Sequence, residues 1–169
     1  MRRFFCPETD FSSTEIILNN SDELHHLKNV LRLKEGQELL VFNGKGKEAH
    51  GLITKLSANE ATIKILDIKS SEERGGPRLI LACAIPKRGK FETIIEKCTE
   101  LGVDEIVPVI TSRTEVELKG ERLDKKLARY QAVAVSAAKQ SHRLTVPQIH
   151  LPTKFRDALD RLSQTSTVL

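Results

Sequence analysis

The segment Lys97-Cys98-Thr99-Glu100-Leu101-Gly102-Val103-Asp104-Glu105-Ile106-Val107-Pro108 marks where a helix stops and a strand begins. Phe91, Ile94, Ile95, Cys98 and Leu101 recur at helical spacing and form one apolar stripe. Gly102 suits the left-handed position that ends such a helix. Ile106, Val107, Val109 and Ile110 then read as a buried strand. Upstream, Leu79-Ile80-Leu81-Ala82-Cys83-Ala84-Ile85 is apolar on both faces, as a strand covered on both sides must be. Between that strand and the helix lies the basic loop Pro86-Lys87-Arg88-Gly89-Lys90. Downstream, Thr111 to Gly120 is polar and leads to a helix from about Arg122 to Lys139, with its stripe on Leu123, Leu127, Tyr130, Ala134, Ala137 and Ala138. Val146 and Ile149 bracket a third strand, and Phe155 to Leu162 a last helix. Alternating strands and helices predict parallel strands joined by right-handed crossovers.

The part before this unit has a different rhythm. Glu15-Ile16-Ile17-Leu18 reads as a short strand. Asn20 can cap a helix, with Glu23 three residues on, and Leu24, Leu27 and Leu31 continue it at helical spacing. Glu38–Phe42 alternates only loosely and Asn43-Gly44-Lys45-Gly46 reads as a turn, while Ala49–Leu56 and Glu60–Ile68 predict two further strands joined by the Ser57-Ala58-Asn59 turn. One short helix and several strands predict a small β-barrel. Ser70-Ser71-Glu72-Glu73-Arg74-Gly75-Gly76-Pro77 separates the two rhythms. The expected domains are 1–72 and 73–169, and the expected class is α/β with an N-terminal β-barrel. There is no internal repeat.

Charge is uneven along the chain. The 169 residues carry 27 Lys and Arg against 23 Asp and Glu, a net charge of +4. Residues 1–74 hold 11 basic and 12 acidic side chains, whereas residues 75–169 hold 16 and 11. The cationic excess therefore lies in the second part, the better candidate for meeting phosphate. Cys6, Cys83 and Cys98 are scattered without ligand spacing and read as small core hydrophobes. The five histidines lack Cys or carboxylate partners at metal-binding spacing, so no metal is expected. The start Met1-Arg2-Arg3-Phe4-Phe5 has no long apolar run and no stretch is long enough to span a bilayer, which predicts a cytoplasmic protein without a membrane partner.

The chemistry-bearing candidates are cationic. Lys87, Arg88 and Lys90 sit between a strand and a helix start, where free backbone N–H groups reinforce attraction for an anion. Arg113 follows the second strand. With parallel neighbours, Arg88 and Arg113 would leave the sheet at one carboxyl edge, where α/β sheets place ligands. Gln140 and Arg143 follow the long helix. A solvated, charge-rich surface is the alternative, as is a solvated loop for Lys45 and Lys47.

Four segments in order carry a family resemblance: His26-Leu27-Lys28-Asn29-Val30-Leu31-Arg32-Leu33, Lys97 to Val103, Pro108 with Thr111-Ser112-Arg113, and Ala137-Ala138-Lys139-Gln140-Ser141-His142-Arg143 with Val146-Pro147. Together they resemble the ribosomal RNA small-subunit methyltransferase E family of the SPOUT superfamily of knotted methyltransferases. The resemblance implies a PUA-like barrel that grips RNA, followed by the first part of a methyltransferase domain. It implies methyl transfer from S-adenosylmethionine to N3 of a uridine in 16S rRNA of the small ribosomal subunit, by a homodimer. It places His26 and Arg32 in the barrel's helix among the RNA-binding residues, with Lys87, Arg88 and Lys90. It places Arg113, Gln140 and Arg143 toward the methyl-transfer site, where they would oppose charge developing on the uracil carbonyls. No general base is evident: Glu100 and Asp104 suit helix-surface and capping roles. A non-catalytic RNA-binding module is the alternative function.

Family members continue into a Gly-Pro-Glu-Gly-Gly loop and a further segment that tie the knot and wrap the cofactor, and nothing here matches them. The chain reads as a truncated member with no cofactor-binding residues of its own. Calorimetric titration of residues 1–169 with S-adenosylmethionine is expected to show weak binding or none; low-micromolar binding would contradict this.

Overall fold

The computed structural model describes residues 1–71, 76–87, 89–112 and 120–163. It divides into two compact units: Met1–Gly75 with His142–Thr145, and Gly76–Ser141 with Val146–Leu169.

The first unit is a five-stranded sheet in the order β1-β3-β4-β5-β2. β1 (Arg3–Phe5), β2 (Glu15–Leu18), β3 (Glu38–Phe42), β4 (Lys47–Leu56) and β5 (Ala61–Ser70) are antiparallel neighbours except for β1, which pairs with β3 in parallel. α1 (Ser21–His25) begins at Asn20, whose side-chain oxygen accepts from the N–H groups of Asp22 and Glu23 at 3.1 Å. That bond satisfies two donors that a helix start leaves without partners. The helix then widens into a π-helical turn, His26–Val30, with Leu31 N–H donating to the His26 carbonyl at 2.9 Å. Leu24 and Leu27 project from it into a core of Phe4, Ile16, Leu18, Leu39, Val41, Ile53 and Ile63. In β4, Gly51 lies against β5 so closely that a Cβ would overlap the Ile63 methyl and sit 3.0 Å from the Lys64 carbonyl.

The second unit is a parallel sheet. β6 (Ile80–Ala84) pairs with β7 (Glu105–Ile110), which pairs on its other side with β8 (Gln148–Ile149) and β9 (Thr153–Lys154). The single expected third strand is thus two short pieces, for a reason found in β7. His150 N–H donates to the Ile106 carbonyl at 2.9 Å, so Ile106 turns its backbone polar groups toward β8. By the two-residue period, Pro108 faces the same way and has no N–H to give. The ladder breaks there and resumes at Val109.

α2 (Lys90–Leu101) and α3 (Glu121–Gln140) cover one face. Phe91 meets Tyr130 edge-on at 5.0 Å, and Ile95, Ile106 and Ala134 complete that core. Gly102 ends α2 at φ 91°, its N–H reaching the Cys98 and Thr99 carbonyls. On the other face Ala158 of α4 (Phe155–Ser163) packs on Val107 and Val109. Ala82 and Ala84 stay exposed, so β6 is covered on one side rather than two. Burial raises the thiol pKa of both Cys83 and Cys98, which suits packing rather than nucleophilic work.

The amino ends of three strands meet at Glu105, a carboxylate nearly removed from solvent. It accepts from Arg78 on one oxygen and pairs with His150 Nε2 at 2.6 Å on the other. No described helix is long and apolar enough to cross a membrane.

Gly51→Ala should cost about 1–3 kcal/mol, the range for overpacking a filled site. A lowered thermal midpoint, followed by circular dichroism, is the expected result; an unchanged one would contradict the close β4–β5 approach.

Candidate nucleic-acid interface

The carboxyl edge of the second unit's sheet follows from its register. Ala84 lies opposite Val109, so the segments after β6 and β7 leave the sheet on one side. Lys87 stands in the first of these, and Thr111 and Ser112 in the second. Gly89 then takes φ 74°, and Lys90 opens α2. Lys87 and Lys90 are exposed and share this edge with the first N–H groups of α2. The combination attracts anions. Arg88 and Arg113 lie outside the described residues.

Gln140 is placed elsewhere. α2 runs from the carboxyl edge at Gly89 to the amino edge at Gly102. α3 runs in the same direction, since it leads from the carboxyl end of β7 to the parallel β8. It is level with the start of α2 at Tyr130, which meets Phe91, and at Arg129, which bonds both oxygens of Glu92 at 2.7 and 2.8 Å. That pair holds the Glu92 carboxyl below the usual carboxylate range, through its hydrogen bonds with Arg129. Gln140 is ten residues past Tyr130, about 15 Å along the axis at 1.5 Å per residue. It is exposed at the amino edge, opposite Lys87 and Lys90.

The remaining candidates belong to the first unit. His26 is half-buried, its ring 6.0 Å from that of Phe4, a packing position. Arg32 is exposed and sits just past the π-helical turn at φ 52°. Glycine or asparagine is usual in that conformation. Among the described residues only one other non-glycine residue has positive φ: His142, at 55°, beside Arg143. Strained backbone of this kind is concentrated at functional sites. Arg143 is half-buried, and its carbonyl accepts from Arg3 Nη2 at 2.7 Å.

The first unit also has two open concavities of about 410 Å³ each. One is polar and lies between α1 and the β4–β5 turn, lined by Ser21, His25, Asn29 and Asn59. Lys28 fixes that turn by donating to the Ser57 and Ala58 carbonyls at 2.8 and 3.2 Å. The other follows residues 6–20. Among the described residues no three His, Cys, Asp or Glu side chains come together as metal ligands.

Two charged residues escape a reading of the sequence. Arg3 and Glu48 are buried and ion-paired, with the guanidinium carbon 3.9 Å above the Phe42 ring. Nothing in a dipeptide of arginines at a chain start signals burial. The Phe4-Phe5 that follows is the one hint of a strand.

The chain thus pairs a β-rich unit, with an exposed arginine just past its helical turn, with a parallel sheet that carries lysines on its carboxyl edge. The RNA methyltransferase domain family matches residues 74–169, and the RNA methyltransferase PUA domain family matches residues 18–66. The chain belongs to the RNA methyltransferase family. The ribosomal RNA small subunit methyltransferase E of Bacillus subtilis is 30% identical over 164 residues, covering 96% of this chain and 64% of the relative. The one from Synechocystis is 32% identical over 167 residues, covering 99% and 52%. The crystal structure of the Neisseria gonorrhoeae enzyme bound to S-adenosyl methionine superposes with a TM-score of 0.82 at 33% identity, covering 95% of this chain and 65% of that one. A putative methyltransferase from Legionella pneumophila with bound cofactor gives a TM-score of 0.82 at 26% identity. The chain thus spans between about half and two thirds of the length of the curated relatives above. The fold class is the expected one: α/β, with a PUA-type β domain first.

Lys87→Glu with Lys90→Glu should weaken binding of deproteinised 16S rRNA. Each lost phosphate contact lowers the slope of log K against log salt by about one. Filter binding across a salt series with an unchanged slope would remove both lysines from the interface.

Proposed function

We propose that this chain is the RNA-gripping and substrate-side part of a methyltransferase that modifies 16S rRNA in the cytoplasm. The reaction is transfer of a methyl group to N3 of a uridine in the small ribosomal subunit. The observation that carries the proposal is the joint match of both units, in order, to an RNA methyltransferase domain and its PUA partner.

S-adenosylmethionine supplies an electrophilic methyl group carried on a sulfonium cation. The described carboxyl-edge groups do not fit that cation: Lys87, Lys90 and the α2 N-terminus favour anions and would repel a positive sulfur. They fit the phosphates of the RNA instead. Uridine N3 bears a proton in its neutral form and must pass it to solvent to become nucleophilic. Loss of that proton places negative charge on the two uracil carbonyl oxygens, and donors fixed in advance stabilise it. Arg113 and Gln140 are the proposed donors, with Arg suited to bidentate contact. His26, Arg32, Lys87, Arg88 and Lys90 are the proposed RNA grip, joined by Arg143, which belongs to the first unit.

Gln140 and the Lys87–Lys90 group lie at opposite edges of one sheet, so a single unit does not aim both at one nucleotide. The proposal therefore includes a homodimer, in which a second protomer would bring the opposite edge to the same nucleotide.

The test uses a protein extended to the relatives' full length, with small ribosomal subunits and methyl-labelled S-adenosylmethionine. Label should enter N3 of a uridine. Arg113→Ala should lower kcat by about 100-fold or more, the loss for a missing charge-stabilising donor. Stable RNA binding without label incorporation would favour the non-catalytic RNA-binding module.

A further inference from the structure

Arg3 and Glu48 sit deep in the first unit, yet one bond from Arg3 leads to a segment far along the chain. Arg3 donates from Nε to Glu48 and from Nη2 to the Arg143 carbonyl, 140 residues away in sequence. The next carbonyl, Leu144, accepts from the Gly46 N–H at 3.0 Å. Lys45 and Thr145 then form an isolated antiparallel bridge. The β3–β4 turn that offers these groups is itself fixed: Asn43 Oδ1 accepts from the N–H groups of Lys45 and Lys47 at 2.8 and 3.2 Å, and Ser71 N–H donates to the Gly46 carbonyl at 2.7 Å. Residues 142–145 are therefore held at two places, by Arg3 at Arg143 and by the β3–β4 turn at Leu144 and Thr145. They are entered through His142 in a left-handed conformation that costs free energy and must be held by its surroundings.

A buried ion pair is a weak stabiliser, because desolvation offsets most of its attraction. Its clearer effect is to fix geometry: two of the guanidinium's N–H groups are aimed in a planar fork, one at Glu48 and one at the Arg143 backbone. The two segments thereby joined carry basic residues. Lys45 and His142 are exposed, Arg143 is half-exposed, and the exposed Lys47 opens β4.

We propose that the buried Arg3–Glu48 pair is a positioning device that holds residues 142–145 against the β3–β4 turn. This makes Lys45, His142 and Arg143 one preformed contact for the phosphate backbone of RNA. The proposal deepens the RNA-binding reading and rests on it. It adds a third basic segment, the β3–β4 turn, and assigns Arg3 and Glu48, which touch no RNA, the task of presenting the contact.

The test is binding of deproteinised 16S rRNA by the 169-residue chain across a salt series. Arg143→Ala and Lys45→Ala should each lower the salt slope by about one. Arg3→Lys keeps a cation beside Glu48 but loses the fork that reaches Arg143. It should lower the slope as Arg143→Ala does, and add nothing further when combined with it. Plain loss of stability would instead add to the effect of Arg143→Ala, so additive losses overturn the proposal. A full wild-type slope in Arg3→Lys also overturns it. If Arg3→Lys unfolds, Arg3→Met with Glu48→Leu replaces the pair by apolar groups and must give the same non-additive pattern. If Arg143→Ala and Lys45→Ala both bind as wild type, the phosphate contact is wrong while the RNA-binding reading stands. Failure of the unaltered chain to bind RNA would instead sink that reading itself.

Discussion

Parallel pairing of β6 with β7 is the constraint from which the second unit follows. Two parallel neighbours oblige the chain to travel back from the carboxyl edge to the amino edge between them. α2 makes that return, and its length, apolar stripe and terminal glycine are what the return requires. The same rule carries α3 down beside it to bring β8 to the amino end of β7. Each loop that follows a strand must then sit at the carboxyl edge, with Lys87 before one helix and Ser112 before the other. Each helix must end at the amino edge, which is why Gln140 and Lys90 are separated.

Charge is handled differently in the two units. In the second, exposed cations stand at a rim where helix N–H groups add to their field. Such contacts govern encounter with a polyanion and weaken as salt rises. In the first, the notable cation is buried, closed off by a carboxylate and a ring face, and spends its donors on backbone. A surface lysine can be lost at small cost to folding. Removing one partner of a buried pair leaves an uncompensated charge and costs about 3–5 kcal/mol.

Much of this was legible in the residues, and the exceptions have physical causes. The α2 stripe, the Gly102 stop and the Asn20 cap are local signals, and the structure realises all three. β1 was not visible because three residues show no periodicity; it exists through pairing with β3, a distant partner. The break between β8 and β9 was encoded in Pro108, but only once the side facing β8 is known does the missing N–H matter. The π-helical turn hides inside an ordinary helical pattern. Within the candidate site, Lys87 and Lys90 could be placed because strand, loop and helix are contiguous. The edge reached by Gln140 depends on crossover direction, and the placing of Arg143 in the first unit depends on its bond from Arg3 and on the bond of the next residue, Leu144, with Gly46, which no local pattern announces.

The wide turn at His26–Val30 has a further meaning for how such chains vary. It lies after Leu24, which anchors the helix in the core, and before Arg32, which leaves it. Losing one residue there would restore regular winding and swing everything beyond it by about 100°, the angular step of a helix with 3.6 residues per turn. Leu24 would keep its place, but Leu27 inside the turn and Leu31 and Leu33 beyond it pack on the same core. A single-codon change at this point would therefore re-aim a surface arginine only together with those leucines, which ties the direction of the one to the packing of the others.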